Sequence, residues 1–164
     1  MGGKALTDKD RNALINTLNS TGIFVTCGRK TPNVMVAHWG TIGKMWGRDV
    51  FVLPIKSSKY SYRIVSETKS FALNVPARDM RNEIAMCDTI SGFKCNKFEA
   101  LNLHAKRAKS IDAYVLGECG LIAECNVIAM IPPESVVPLV DGLIPPERAH
   151  TYFVGEIAEV YRLR

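Results

Sequence analysis

Apolar and polar positions alternate with a period of two along residues 33–41 (NVMVAHWGT). Val34, Val36, His38 and Gly40 fall on one side, and Met35, Ala37, Trp39 and Thr41 on the other, the period of a strand. Neither side is plainly polar, so this predicted strand has one face on a core and the other on something partly apolar. Residues 50–55 (VFVLPI) form a second, almost wholly apolar strand that runs into Lys56-Ser57-Ser58-Lys59. Further strands are predicted at 22–27 (GIFVTC), 70–76 (SFALNVP), 114–131 and 150–161 (HTYFVGEIAEVY). Within 70–76, Phe71, Leu73 and Val75 share a face, and Asn74 points the other way, beside Ala72. Gly117 and Gly120 mark a bend or bulge near the start of the long segment.

The period lengthens at residues 6–19 (LTDKDRNALINTLN), where Leu14, Ile15 and Leu18 form a stripe. Thr7 or Asp8 caps this helix and Gly22 ends it. Shorter helices are predicted at 58–68, 80–87 and 97–103. Residues 42–49 (IGKMWGRD) read as a loop, and 88–97 (DTISGFKCNK) as a polar loop around Ser91-Gly92. Residues 131–147 hold five of the eight prolines. That loop is too apolar to be simply solvated, so it is expected to cover something or meet a partner. About six strands with short helices between them suit a mainly β barrel better than a wound βαβ sheet. The expected organisation is one domain over residues 1–164, with an N-terminal helix (1–20) and a barrel (22–162).

Composition narrows the classes. The chain has 164 residues, 47% hydrophobic and 23% charged, the balance of a globular protein. No apolar run approaches the roughly 18 residues that cross a bilayer. The start MGGKALTDKDRN has no apolar core of a signal peptide, and Ala5 and Leu6 stand where a lipidation signal wants Ser or Thr. A cytoplasmic protein without a membrane contact is expected. The five cysteines include no C-x-x-C pair and are an odd set, so free thiols are expected and no one of them is marked as a nucleophile. Three scattered histidines give no metal-ligand spacing. Net charge is +5, yet the basic residues cluster only at 105–109 (AKRAK), without interleaved aromatics. That run reads as a solvated face, and nucleic acid is not the expected partner. No G-x-G-x-x-G, P-loop or H-E-x-x-H is present.

The candidate chemistry lies elsewhere. Two lysines and two serines at a strand end, leading into a helix, can hold a phosphate: the ammonium groups supply charge, the hydroxyls and free helix N–H groups supply donors. Asn74, an amide inside an apolar strand, needs hydrogen bonds from backbone or ligand. Trp39 alone reads as core.

Taken together, NVMVAHWGT, SSKYSYRIVSETKSFALNVP, CDTISGFKCNKF, GECGLIAEC and HTYFVGEI resemble the flavin reductase-like, FMN-binding split-barrel family that includes the flavoredoxins. The resemblance spans roughly residues 22–160. It implies a homodimer of six-stranded antiparallel Greek-key split barrels with short flanking helices. It also implies an oxidoreductase that moves electrons from NAD(P)H or a redox protein through FMN to flavin or another acceptor. The alternative is an FMN-holding electron carrier without NAD(P)H activity; a more distant one is a basic barrel that has lost flavin. By the same resemblance Met35, Ala37, Trp39 and Thr41 line the flavin ring, and Ser57, Lys59, Tyr60 and Ser61 hold its phosphate. Asn74 faces the ring, Thr89, Ser91, Gly92 and Lys97 form the loop over the flavin, and His150 stands where a nicotinamide or acceptor approaches. Hydride transfer to flavin needs no acid–base pair, so no catalytic side chain is expected. The chain departs from the family at Asp88, where Gly is common, at Asn96, where Asp usually precedes the Lys, and around 112–114, where a Pro is missing.

Overall fold

The computed structural model describes residues 5–163; residues 1–4, where the lipidation reading falls, and 164 lie outside it. Helix α1 (Asp8–Ser20) begins at Thr7, whose hydroxyl accepts from the Asp10 N–H at 3.1 Å and donates to the Asp10 carboxylate at 2.7 Å. This cap fixes the entry, and Leu14 and Leu18, four apart, are buried on the face turned inward.

Nine strands follow: β1 (Ile23–Cys27), β2 (Asn33–Ala37), β3 (Thr41–Met45), β4 (Arg48–Ile55), β5 (Ser70–Pro76), β6 (Ala105–Arg107), β7 (Tyr114–Leu116), β8 (Cys119–Ile131) and β9 (Thr151–Arg162). Three helices interrupt them: α2 (Tyr60–Thr68), α3 (Arg81–Thr89) and the single turn α4 (Lys97–Ala100). Seven strands form one sheet in the order β2-β1-β5-β8-β9-β4-β3, and β6 and β7 make a separate ribbon. Every pairing is antiparallel.

The two edge strands, β2 and β3, are consecutive in sequence and joined by residues 38–40 alone. Four Cα steps reach at most about 14 Å, so the sheet must curl until its edges nearly meet, yet β2 and β3 do not pair. The result is a barrel with one open seam. A single buried cluster holds Ala37 of β2, Phe51 and Leu53 of β4, Phe71 and Leu73 of β5 and Phe153 of β9, with Leu14 of α1 and Val65 of α2 against it. A second cluster on the other face of β1 and β5 packs Phe24 and Ala72 under α3, α4 and the ribbon. β1 is therefore buried along its whole length.

The sequence expectation of a mainly β barrel holds, with seven strands in the main sheet and a two-stranded ribbon in place of the six strands expected, and with three further corrections. The predicted strand 33–41 breaks at His38, where the chain leaves one edge for the other. The predicted loop 42–49 is instead the β3–β4 hairpin. Its two-residue turn puts Trp46 (φ 51°) and Gly47 (φ 74°) both in the left-handed region, the geometry usually signalled by Asn-Gly. The charged run 105–107 is a strand held by its partner, with Ala105 opposite Leu116.

Glu124, fully buried in the middle of β8, anchors the β6–β7 connection. Its carboxylate accepts from the N–H groups of Lys109 (2.7 Å), Ser110 (2.6 Å) and Ile111 (3.2 Å), and from the hydroxyls of Ser110 (2.5 Å) and Tyr161 (2.6 Å). Burial and this carboxylate together push the Tyr161 hydroxyl's pKa up. Residues 132–150 form a long connection with two short 3-10 turns. Its apolar side chains stand in solvent: Leu139 is 93% exposed and Val137 77%. No helix among the described residues is long and apolar enough to cross a membrane.

Candidate functional site

The end of β4 turns tightly, with the Lys59 N–H donating to the Lys56 carbonyl at 3.0 Å. Lys59 is the N-cap of α2 with no side-chain cap; the Tyr62 N–H donates to the Lys59 carbonyl at 3.1 Å, and the Tyr60 and Ser61 N–H groups at the helix start have no partner among the described residues. Beside them Asn33 donates through Nδ2 to the Ser61 hydroxyl at 2.9 Å and to the Cys27 sulfur at 3.6 Å. Because Ser61 accepts that bond, its own O–H remains free to donate elsewhere.

Opposite lies the end of α3 and the loop after it. Lys97 is 8% exposed, and its ammonium donates to the Cys87 carbonyl at 3.0 Å and to the Cys87 sulfur at 3.8 Å. Among the described residues no carboxylate pairs with it. A buried ammonium with a carbonyl and a thiol as its partners, and no carboxylate within ion-pair distance among the described residues, is suited to an anion entering the cavity. Gly92 closes the loop against α2. A Cβ there would come within 2.5 Å of the Tyr60 ring and 2.8 Å of the Asn33 side-chain oxygen. Tyr60 in turn packs edge-on against Phe93, with centroids 4.9 Å apart.

These groups surround a cavity of about 260 Å³ lined by Asn33, Met35, Ser58, Lys59, Tyr60, Ser61, Thr89, Ser91, Gly92 and Lys97, among others. A second, of about 190 Å³, is lined by Ala37, Trp39, Pro54, Ile55, Lys56 and His150. Met35, Val36, Lys59 and Asp88 line both, so the two form one groove along the β2 edge. Its first end is cationic and donor-rich; its second is apolar and aromatic. There Trp39 meets His150 edge-on at 5.0 Å and Tyr152 at 5.9 Å. The His150 Nδ1 sits 2.5 Å from the Arg148 carbonyl. A carbonyl only accepts, so Nδ1 carries the proton and Nε2 is left for another partner. The groove thus suits an anion joined to a flat, apolar group.

The four buried thiols are poorly placed to supply chemistry. Burial pushes Cys27 and Cys87 up to about 11, against the opposing pull of Lys97 on each, and burial takes Cys119 to about 12. All five cysteines are free, and a protonated buried thiol is a poor nucleophile.

Of the residues expected from the sequence, the groove gathers Met35, Ala37, Trp39, Lys59, Tyr60, Ser61, Thr89, Ser91, Gly92, Lys97 and His150. Three line neither cavity. Thr41 starts β3 on its exposed side and lines neither cavity, because the chain crosses to the far edge before reaching it. Ser57 also stays outside; its neighbour Ser58 lines the first cavity instead. Asn74 is fully buried away from the groove. Its amide donates to the Thr26 hydroxyl (2.9 Å) and the Ala72 carbonyl (3.0 Å) and accepts from the Leu116 N–H (2.9 Å). It ties β5 to β7, and the partners of its amide are protein groups. Asn33 and Asp88 join the site from outside the expected set, and Lys56 and Ser58, which the strand-end pattern includes but the resemblance does not, line it as well. Asn96 keeps the role a carboxylate would have there, capping α4 by accepting from the Phe98 N–H at 3.0 Å, since Asn and Asp cap equally well.

The family model described as "Flavin reductase like domain" matches residues 16–163. An uncharacterized protein of Archaeoglobus fulgidus is 27% identical over 137 residues, covering 84% of this chain and 69% of the relative. Among solved structures, the flavoredoxin of Desulfovibrio vulgaris (Miyazaki F) superposes with a TM-score of 0.71 at 23% identity, over 87% of this chain and 69% of that one. An NADH:FAD oxidoreductase of Streptomyces globisporus superposes with a TM-score of 0.67 at 16% identity, over 99% of this chain and 89% of that one.

Proposed function

The chain belongs to the flavin reductase like domain family, and from that premise we propose that it is an oxidoreductase holding FMN in the groove between β2, α2 and the α3–α4 loop. The observation that carries this reading is the buried, carboxylate-free ammonium of Lys97 facing a cavity that the open start of α2 also faces. Lys97, Lys59, Ser61 and the first N–H groups of α2 take the phosphate. Met35, Ala37 and Trp39 lie along the flat ring, and Gly92 lets the loop close to contact with Tyr60. A flavin held here would supply the redox chemistry; the chain's part would be positioning and electrostatics. No side chain need move a proton, and His150 stands at the ring end of the groove, with Nε2 turned to no protein partner among the described residues.

The electron source we propose is NAD(P)H, which makes the protein a flavin-reductase-type enzyme. The alternative, an electron carrier served by a redox protein, draws on the likeness to flavoredoxin. Anaerobic addition of NADH and then NADPH to the FMN-loaded protein separates them: bleaching of the flavin band supports the reductase, whereas a band that persists until dithionite is added supports the carrier. The free thiols fit a reducing, cytoplasmic setting. The phosphate assignment has its own test. Lys59→Ala combined with Ser61→Ala is expected to weaken FMN binding by about 2–3 kcal/mol, the scale of charge-assisted hydrogen bonds; unchanged affinity removes this turn from the site.

The partner we propose is a second copy of the chain. Leu139, Val137, Val140 and Leu143 stand exposed on the connection that ends at His150, and Ile128 and Met130 add to them from β8. Such surface is rarely left uncovered, and a twofold dimer would bring a neighbour to the ring end of each groove. The double variant Leu139→Asp, Val140→Asp is expected to sediment as a monomer where the native chain sediments as a dimer.

A further inference from the structure

Asp88 occupies the junction of the groove, lining both the cationic cavity and the apolar one. One carboxylate oxygen, Oδ2, accepts from the His38 Nε2 at 2.6 Å. The other, Oδ1, has no hydrogen-bond partner among the described residues. His38 begins the three-residue link that crosses from β2 to β3, so the side chain that holds Asp88 is itself fixed to the barrel seam.

A carboxylate at this place is unexpected for a site that takes a phosphate. The phosphate, however, belongs at the Lys59 and Lys97 end, and the ring at the Trp39 end; what passes Asp88 is the linker between them. A carboxylate accepts and never donates when ionised, so the linker it suits is one that offers O–H donors. We propose that Asp88, oriented by His38, reads the hydroxyl groups of a polyhydroxylated linker, and so selects ligands in which an anion and a flat ring are joined by a sugar-like chain. This rests on the flavin reading and deepens it. Asp88 touches the ligand, and His38 is a positioning residue that acts through Asp88.

Three probes test it: FMN, riboflavin, which lacks the phosphate, and lumiflavin, which lacks the hydroxylated chain as well. Asp88→Ala is expected to weaken both FMN and riboflavin about tenfold, the effect of losing one hydrogen bond to a charged group, and to leave lumiflavin unchanged. His38→Gln is expected to give the same pattern with a smaller loss, and Asp88→Asn, which keeps the volume and one acceptor oxygen, an intermediate one. Equal losses for all three ligands would mean that Asp88 serves the ring or the fold; tighter FMN with riboflavin unchanged would mean that it merely repels phosphate; no change for any ligand would mean no contact. Each of these overturns the assignment while the flavin reading stands. If the native protein binds none of the three, the flavin reading itself falls and takes the assignment with it.

Discussion

Lys97→Met is expected to weaken FMN binding by roughly 10- to 150-fold, the equivalent of losing a hydrogen bond to a charged group, while leaving the free protein at least as stable as before. Both halves follow from the same geometry. Without ligand, the Lys97 ammonium is 8% exposed and has the Cys87 carbonyl and thiol for company, with no carboxylate among the described residues. Confining an ammonium in that way costs free energy, and an apolar side chain of similar length removes the cost. With a phosphate in the cavity the balance reverses. Riboflavin, lacking the phosphate, is expected to bind the variant about as well as the native protein. Flavin titration beside thermal unfolding checks the pair. An equal loss of riboflavin affinity, or a collapse in melting temperature, would assign Lys97 to the fold.

Glu124→Ala is expected to cost about 3–5 kcal/mol of stability, because it strips several donors, two of them buried, of their acceptor at once. The N–H groups of Lys109, Ser110 and Ile111 and the Tyr161 hydroxyl all converge on that carboxylate. Against a total of about 5–15 kcal/mol for a domain, the loss is large. Burial alone would raise the Glu124 pKa, but the hydroxyls of Ser110 and Tyr161 and the N–H groups of Lys109 and Ser110 outweigh it and hold the carboxyl below the ordinary range. A depressed folded value means that the group stabilises the protein above the unfolded value of about 4.3, and that this contribution drains away as pH falls through the lower folded value. Chemical denaturation between neutral and acid pH reads this directly: the native protein loses stability on acidification, and Glu124→Gln flattens the part of that slope due to this group. Unchanged acid sensitivity in the variant would place the effect elsewhere.

Much of the groove was legible because its chemistry repeats along short stretches. Lys59, Tyr60 and Ser61 stand at a strand end before a helix, and Met35 and Ala37 alternate on one strand with Trp39 just beyond its end; both signals are local. The places where structure and sequence pattern part have physical causes as well. Asn74 needs partners, but sequence does not say whether protein or ligand supplies them, and Thr26, Ala72 and the Leu116 N–H supply them all. Thr41 shares the parity of Trp39, but parity carries no meaning once the strand breaks at His38 and the chain changes edges. The β3–β4 hairpin was hidden because Trp46-Gly47 is not the usual turn pair and Gly43 and Lys44 blur the alternation. Asp88 and Asn33 come to the site only through tertiary packing, on the end of α3 and the start of β2.

The most direct test of the whole account is an equilibrium titration of the purified chain with FMN, followed by flavin absorbance and fluorescence. The account predicts saturable binding of one FMN per chain, weakened in Lys97→Met and in the Lys59→Ala, Ser61→Ala pair. A native protein that carries no flavin and takes up none when FMN is supplied would contradict it.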